Sequence, residues 1–234
     1  MNTKNLILML SVVVLGFTSC CNNATKTTAT LKTEADTACY YIGYMNGTML
    51  TRNGLDKPNV EAIIAGMNTA LQKKKAPADL MEMQQFLGNY IQKVMTAKAE
   101  ETLKKGEAFL TENAKKEGVK TTESGLQYKI EKEGTGAIPS DTSIVKVHYK
   151  GTFINGEEFD SSYKHNKPAE FPVNGVIRGW TEALKMMPVG SKWTLYLPSK
   201  LAYGPRGTNG GPIGPNEALV FEVELLEIVS PAAK

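Results

Sequence analysis

Ala218-Leu219-Val220-Phe221-Glu222-Val223-Glu224-Leu225 carries the period that decides the fold. Leu219, Phe221, Val223 and Leu225 alternate with Val220, Glu222 and Glu224. A period of two puts the large apolar side chains on one face of a strand and the charges on the other. Working outward, the same alternation recurs three times. Val145, Val147 and Tyr149 face away from Lys146, His148 and Lys150; Leu195 and Leu197 alternate after Trp193; Leu126, Tyr128 and Ile130 alternate with polar neighbours. Each run reads as an antiparallel strand with one buried face. Asn155-Gly156 is a hairpin-turn signal. One segment, about Arg178 to Met187, changes period and places Trp180, Ala183, Leu184 and Met187 on one helical face. The expected fold class is α+β: an antiparallel half-barrel sheet wrapped on a short helix, over residues 123–230.

Upstream the period is 3.6. A first helix is expected over about Ala38 to Asn53, with Ile42, Met45 and Met49 on one face and Gly54 as its stop. A second is expected from Pro58 to Lys74, with Asp56 as its cap and Val60, Ile63, Ile64, Met67, Ala70 and Leu71 as its apolar stripe. Asp79 and Glu82 form a capping box opening a third, long helix that nothing breaks before Gly118. Its first half carries an apolar spine of Leu80, Met83, Leu87, Ile91 and Val94. Its second half, from Lys98, is charged on most faces, as expected of a solvent-crossing stalk. Gly106 reads as an interior weak point in it. Two short helices and half a long one make too small a core to stand alone. Residues 38–97 are therefore expected to form a dimerisation module by pairing with an identical copy, and residues 98–122 a stalk and linker. The methionines of this module, Met45, Met49, Met67, Met81, Met83 and Met95, suit adaptable packing or a surface for unfolded chains.

The N-terminus is a targeting segment. Lys4 precedes an apolar run from Leu6 to Phe17, too short to span a bilayer, and Phe17-Thr18-Ser19-Cys20 follows. Small residues before a cysteine resemble a bacterial lipobox. Residues 1–19 are then a lipoprotein signal peptide, Cys20 is the lipidated residue, and Thr-, Ala-, Lys- and Asn-rich residues 20–37 are a flexible tether. The implied location is the envelope of a diderm bacterium, anchored to a membrane, with the outer membrane facing the periplasm as the expected site. Formal net charge is +3. No basic stripe interleaves with aromatics, which argues against a nucleic-acid partner. Three cysteines and two histidines at these spacings offer no metal site or disulfide scaffold.

Six segments, in order over about 105 residues, resemble the FKBP-type peptidyl-prolyl isomerases. They are Val147-His148-Tyr149-Lys150-Gly151, Gly156-Glu157-Glu158-Phe159-Asp160-Ser161-Ser162, Val176-Ile177-Arg178-Gly179-Trp180, Met187-Pro188-Val189-Gly190, Leu201-Ala202-Tyr203-Gly204 and Ala218 to Leu225. The N-terminal module, with Ile42-Gly43-Tyr44 and the long helix, resembles the dimerisation region of macrophage infectivity potentiator-like envelope isomerases. The resemblance implies catalysis of X–Pro rotation in exported polypeptides, with no cofactor. It also implies binding of macrolide ligands.

By the same resemblance, Tyr149, Phe159, Phe171 and Phe221 are the aromatic walls of a pocket and Trp180 its floor. Val176 and Ile177 contact the proline ring and offer backbone N–H groups. Asp160 and Tyr203 supply the few polar contacts, with Asp160, Tyr203 and Phe159 nearest the chemistry. Three positions depart from the family pattern: Ala169 stands where many members carry an aromatic, Thr208-Asn209 where some carry a histidine, and Pro212 in place of an aliphatic residue. A non-catalytic chaperone or scaffold on the same fold is the alternative reading.

Overall fold

The computed structural model describes residues 29–229, so Cys20, the signal segment and most of the tether lie outside the described residues. Three helices come first: α1 (Glu34–Arg52), α2 (Val60–Leu71) and α3 (Leu80–Asn113). Helix α1 starts four residues earlier than its apolar pattern indicates, because Thr33 and Asp36 cap it there. The Asp36 carboxylate accepts from the Thr33 and Lys32 N–H groups, and the Thr33 hydroxyl accepts from the Asp36 N–H. That reciprocal arrangement satisfies orphan donors of the first turn. Helix α2 is shorter than the 58–74 expected. Its cap is Asn59, whose side chain accepts from the Ala62 N–H at 3.0 Å. Asp56 is instead ion-paired with Lys98 on α3 at 2.7 Å. Asp79 caps α3 as expected, accepting from Glu82 N–H at 2.8 Å.

Two expectations about α3 are corrected. It has 34 residues rather than running to Gly118, and Lys115 and Lys116 follow it in a turn. Its charged second half also does not cross solvent freely, because one face is docked on the sheet that follows. Asn113, fully buried, donates from Nδ2 to Gln127 Oε1 at 2.9 Å. Gln127 in turn donates to the Leu110 carbonyl at 2.8 Å. Phe109 faces Tyr196 with ring centroids 6.2 Å apart. Gly106 is buried, and a Cβ there would sit 2.9 Å from the Ala218 Cβ. What reads in sequence as a weak point is a point of close approach between α3 and the segment that leads into the last strand.

The sheet is antiparallel throughout and seven-stranded: β1 (Val119–Thr121), β2 (Gln127–Lys132), β3 (Ile144–Phe153), β4 (Glu158–Ser161), β5 (Ala169–Pro172), β6 (Lys192–Leu197) and β7 (Leu219–Val229). Its order is β1-β2-β6-β7-β3-β4, with β5 pairing β3 alongside β4. Short helix α4 (Arg178–Leu184) packs into its concave face. The four expected apolar helix residues, Trp180, Ala183, Leu184 and Met187, are all buried, though the helix ends before Met187. With Leu126, Val145, Val147, Leu195, Leu197, Leu219, Phe221, Val223 and Leu225 they make one core. The charged outward face is laced by surface ion pairs such as Lys146–Glu227 at 2.7 Å. Such exposed pairs contribute little each.

Candidate functional site

Strand β3 decides where the site opens. One of its edges pairs along its length with β7. Its other edge is divided: β5 covers Ile144 to Val147, and β4 covers Lys150 to Thr152. Tyr149 falls in the gap, and a side chain completes the ladder there. The Ser162 hydroxyl accepts from the Tyr149 N–H at 2.9 Å and lies 3.2 Å from the Tyr149 carbonyl. The side chain of Tyr149 thereby projects over the concave face at a fixed height. Two residues on, Gly151 leaves the space that lets β4 and β7 bring their rings together. A Cβ there would meet the Phe159 ring at 2.7 Å and the Phe221 ring at 2.8 Å.

The result is a cleft of about 330 Å³ lined by Tyr149, Phe159, Asp160, Phe171, Gly175, Val176, Ile177, Trp180, Tyr203 and Phe221. All nine pocket residues expected from the resemblance are in it, with Gly175 added. Trp180 is the floor, 4% exposed. Three rings stand on edge to or tilted from its indole: Tyr149 at 5.5 Å and 81°, Phe171 at 5.9 Å and 88°, Phe221 at 5.4 Å and 87°. Phe159 stands on edge to Phe221 at 5.6 Å. Edge-to-face contacts suit the ring quadrupoles and lock one another, so the walls are preformed. Val176 and Ile177 lie where a 3-10 turn passes into α4. Among the described residues the Ile177 N–H has no hydrogen-bond partner, and it adjoins the cleft as a ready donor. The indole Nε1–H of Trp180 is likewise unpartnered.

The polar part is small. Asp160 Oδ2 accepts from the Tyr149 hydroxyl at 2.7 Å, and Oδ1 accepts from the Ser161 N–H at 2.8 Å. Burial pushes the Tyr149 phenol well above the ordinary tyrosine value, and the hydrogen bond to Asp160 and its negative charge add to the shift. Tyr203 is raised too, by burial first and by Asp160 second. A negative carboxylate and a desolvated ring both disfavour a phenolate. Both hydroxyls therefore remain donors at neutral pH. Among the described residues no cluster of His, Cys, Asp or Glu could hold a metal ion.

The altered rim positions are peripheral. Ala169 is paired with Val147 in β5 and does not line the cleft. Pro212 is exposed, and the aliphatic anchor of its loop is the next residue, Ile213, buried in the core. Sequence reasoning overlooked Ser162 and Gly151 as determinants of the site. Both stood in the motif segments, but their roles depend on which strands meet at β3.

An apolar, ring-walled cleft with one carboxylate, two phenols and a free backbone donor has the general make-up of a small-ligand site, apolar with a few polar groups. The chain belongs to the FKBP-type peptidyl-prolyl cis-trans isomerase family. The model of the FKBP-type isomerase domain matches residues 136–226, and that of the domain amino-terminal to it matches residues 35–130. The chain is 48% identical over 206 residues to the FKBP-type 22 kDa peptidyl-prolyl cis-trans isomerase of Escherichia coli, covering 87% of this chain and all of that one. It is 38% identical over 231 residues to the outer membrane protein MIP of Legionella longbeachae, covering 96% and 98%. The crystal structure of FkpA from Escherichia coli superposes with a TM-score of 0.66 at 36% identity, over 87% of this chain and 100% of that one.

Proposed function

We propose that the cleft is the isomerase site, and that its residues act as follows. The X–Pro amide resists rotation through resonance, with a barrier of about 18–20 kcal/mol. Rotation breaks no bond, so the catalyst needs neither nucleophile nor metal. It must hold the twisted amide better than either planar form. Twisting returns electron density to nitrogen and lowers the charge on the carbonyl oxygen. Surroundings made by Tyr149, Phe159, Phe171, Trp180 and Phe221 favour that less polar state over the planar amide that water solvates well. Val176 and Ile177 border the proline ring, and the Ile177 N–H pins the substrate backbone on one side of the rotating bond. Asp160 and Tyr203 make the remaining polar contacts. The observation that carries this reading is the convergence of nine residues from six separate segments on one preformed cleft. Two-dimensional exchange NMR on a short Phe-Pro or Leu-Pro peptide tests it. Cross-peak build-up accelerates with added protein, and an unchanged rate at high protein concentration refutes the reading.

The functional unit proposed is a homodimer joined through residues 38–97. No residue of α1 or α2 is buried. Met45 on α1 is 70% exposed, Leu71 on α2 77% and Phe86 on α3 73%. Apolar side chains at this density normally lie inside an interface. A second reading takes the same surface, with Met45, Met49, Met67 and Met81 upon it, as a holdase for unfolded chains. Aggregation suppression that survives Asp160→Ala with Phe221→Ala would favour that second activity.

The proposed location is the bacterial envelope, with Cys20 lipidated and the protein held at the outer membrane. Support comes from the leader pattern and from the relative named as an outer membrane protein. Metabolic labelling with a radioactive fatty acid, lost in Cys20→Ser, is the expected outcome. Macrolide binding in the same cleft is proposed from its aromatic lining, and displacement of the peptide by such a ligand would test it.

A further inference from the structure

We infer that Asn216 is a positioning residue for X–Pro rotation: it fastens the loop carrying Tyr203 to helix α3. The inference rests on the site proposed above. Tyr203 is one of the two phenols of the cleft, and among the described residues its hydroxyl has no hydrogen-bond partner. Nothing holds its ring from the side-chain end, so its placement depends on the backbone around it. The chain after it, from Gly204 to Pro212, has no buried residue, and burial resumes at Ile213. Bonds within the loop, such as Thr208 N–H to the Ile213 carbonyl at 2.9 Å, give it its own shape, and Ile213 seats its far end in the core; the end next to Tyr203 needs a separate fixing.

Asn216 provides two fixings at once. Its backbone N–H donates to the Gly204 carbonyl at 2.9 Å, on the residue next to Tyr203. Its side-chain Nδ2–H donates to the Ala99 carbonyl of α3 at 3.1 Å. The two point in different directions because Asn216 has φ of 60°, a left-handed backbone that asparagine tolerates better than most residues. Ala99 lies in mid-helix, where a carbonyl already accepts from the helical ladder. The bond is therefore not needed to satisfy α3, and its consequence is to locate the loop. Two residues on, Ala218 meets Gly106 of α3, and β7 starts at Leu219 and brings in Phe221. The same helix thus sets the height of Tyr203 and of the Phe221 wall.

A double-mutant cycle in the full-length chain tests this, read as kcat/KM on a Leu-Pro peptide. Asn216→Gly keeps the left-handed backbone and the bond to Gly204 but removes the bond to Ala99. Asn216→Asp also tolerates that backbone and cannot donate to Ala99, so it serves if the glycine variant folds poorly. Either substitution is expected to lower kcat/KM about five-fold, the worth of one hydrogen bond. In a Tyr203→Phe background the same substitution changes it by less than about two-fold, because the group being positioned is gone. Equal losses in both backgrounds, or no loss in the native one, overturn the inference while leaving the site intact. A Tyr203→Phe chain as active as the native one removes Tyr203 from the site, and this inference with it.

Discussion

The C-terminal sheet and the N-terminal helices use the same code of spaced apolar residues, yet end in opposite states. Val145, Val147, Leu195 and Leu225 have lost essentially all contact with water, whereas Ile42, Ile64, Met67 and Leu87 keep half or more of their surface in it. The difference lies in what each element has to bury against. Strands β3, β6 and β7 curve around α4, and seven strands on one helix enclose a complete core. Among the described residues, none in α1 or α2 is buried. Periodicity tells which face wants burial; it does not tell whether the covering surface belongs to the same chain or to another.

Breaking the open half should give the largest effect. Ile63→Glu with Leu87→Glu puts two charges on the proposed interface, and desolvating them would weaken association by about three orders of magnitude or more. Light scattering is expected to fall from a dimer mass to a monomer mass at micromolar concentration, with peptide isomerisation per site retained. A native chain already monomeric, Cys20 having been removed, would contradict the dimer. Breaking the closed half at its site comes next. Phe221→Ala removes a wall of the cleft and should lower kcat/KM by roughly 10- to 200-fold, with about 3–5 kcal/mol lost from the C-terminal core in urea unfolding.

The seam between the helical region and the sheet gives a smaller effect. In an exposed helix, Gly106→Ala would add about 1 kcal/mol of stability. Here the new methyl group meets Ala218, so a loss of about 1–3 kcal/mol is expected instead. A gain in stability would restore the reading of this segment as a free stalk. The smallest effect is alkaline. Tyr149 and Tyr203 are raised above the ordinary value near 10. A raised folded-state value means that the folded chain keeps its phenolic protons after the unfolded chain has lost them. The associated stability is complete below about pH 10 and is lost as pH rises above it. Tyr149→Phe should flatten the decline in urea midpoint between about pH 9 and 11.

Most of the sheet was legible in the sequence, because β2, β3, β6 and β7 each expose one face and so alternate. Strands β1 and β5 were not, being three and four residues long and too short to show a period. Helix starts depended on caps. Asp79 was read correctly because it stands just before an apolar run. Asn59 is not the cap that the sequence suggests for α2, because Asp56 stands just ahead of it, and the Thr33–Asp36 cap lies ahead of the apolar residues Ile42, Met45 and Met49 of α1. The docking of α3 could not be read at all. Gly106 and Asn113 look like a flaw and a surface residue until Ala218 and Gln127, more than a dozen residues away, are brought against them. For the cleft, the resemblance supplied the residues, since Trp180 and Phe221 alone read as core. Their dual nature is real: both are nearly buried and both line the site.

The central claim, that this aromatic cleft turns the X–Pro bond, is tested most directly by exchange NMR on one Leu-Pro peptide with the native chain and the Asp160→Ala, Phe221→Ala double variant. The native chain should accelerate cis–trans exchange well above the uncatalysed rate, which lies on the tens-to-hundreds-of-seconds scale. The folded double variant should lose most of that acceleration. Full acceleration by the double variant would contradict the claim and place the chemistry elsewhere on the chain.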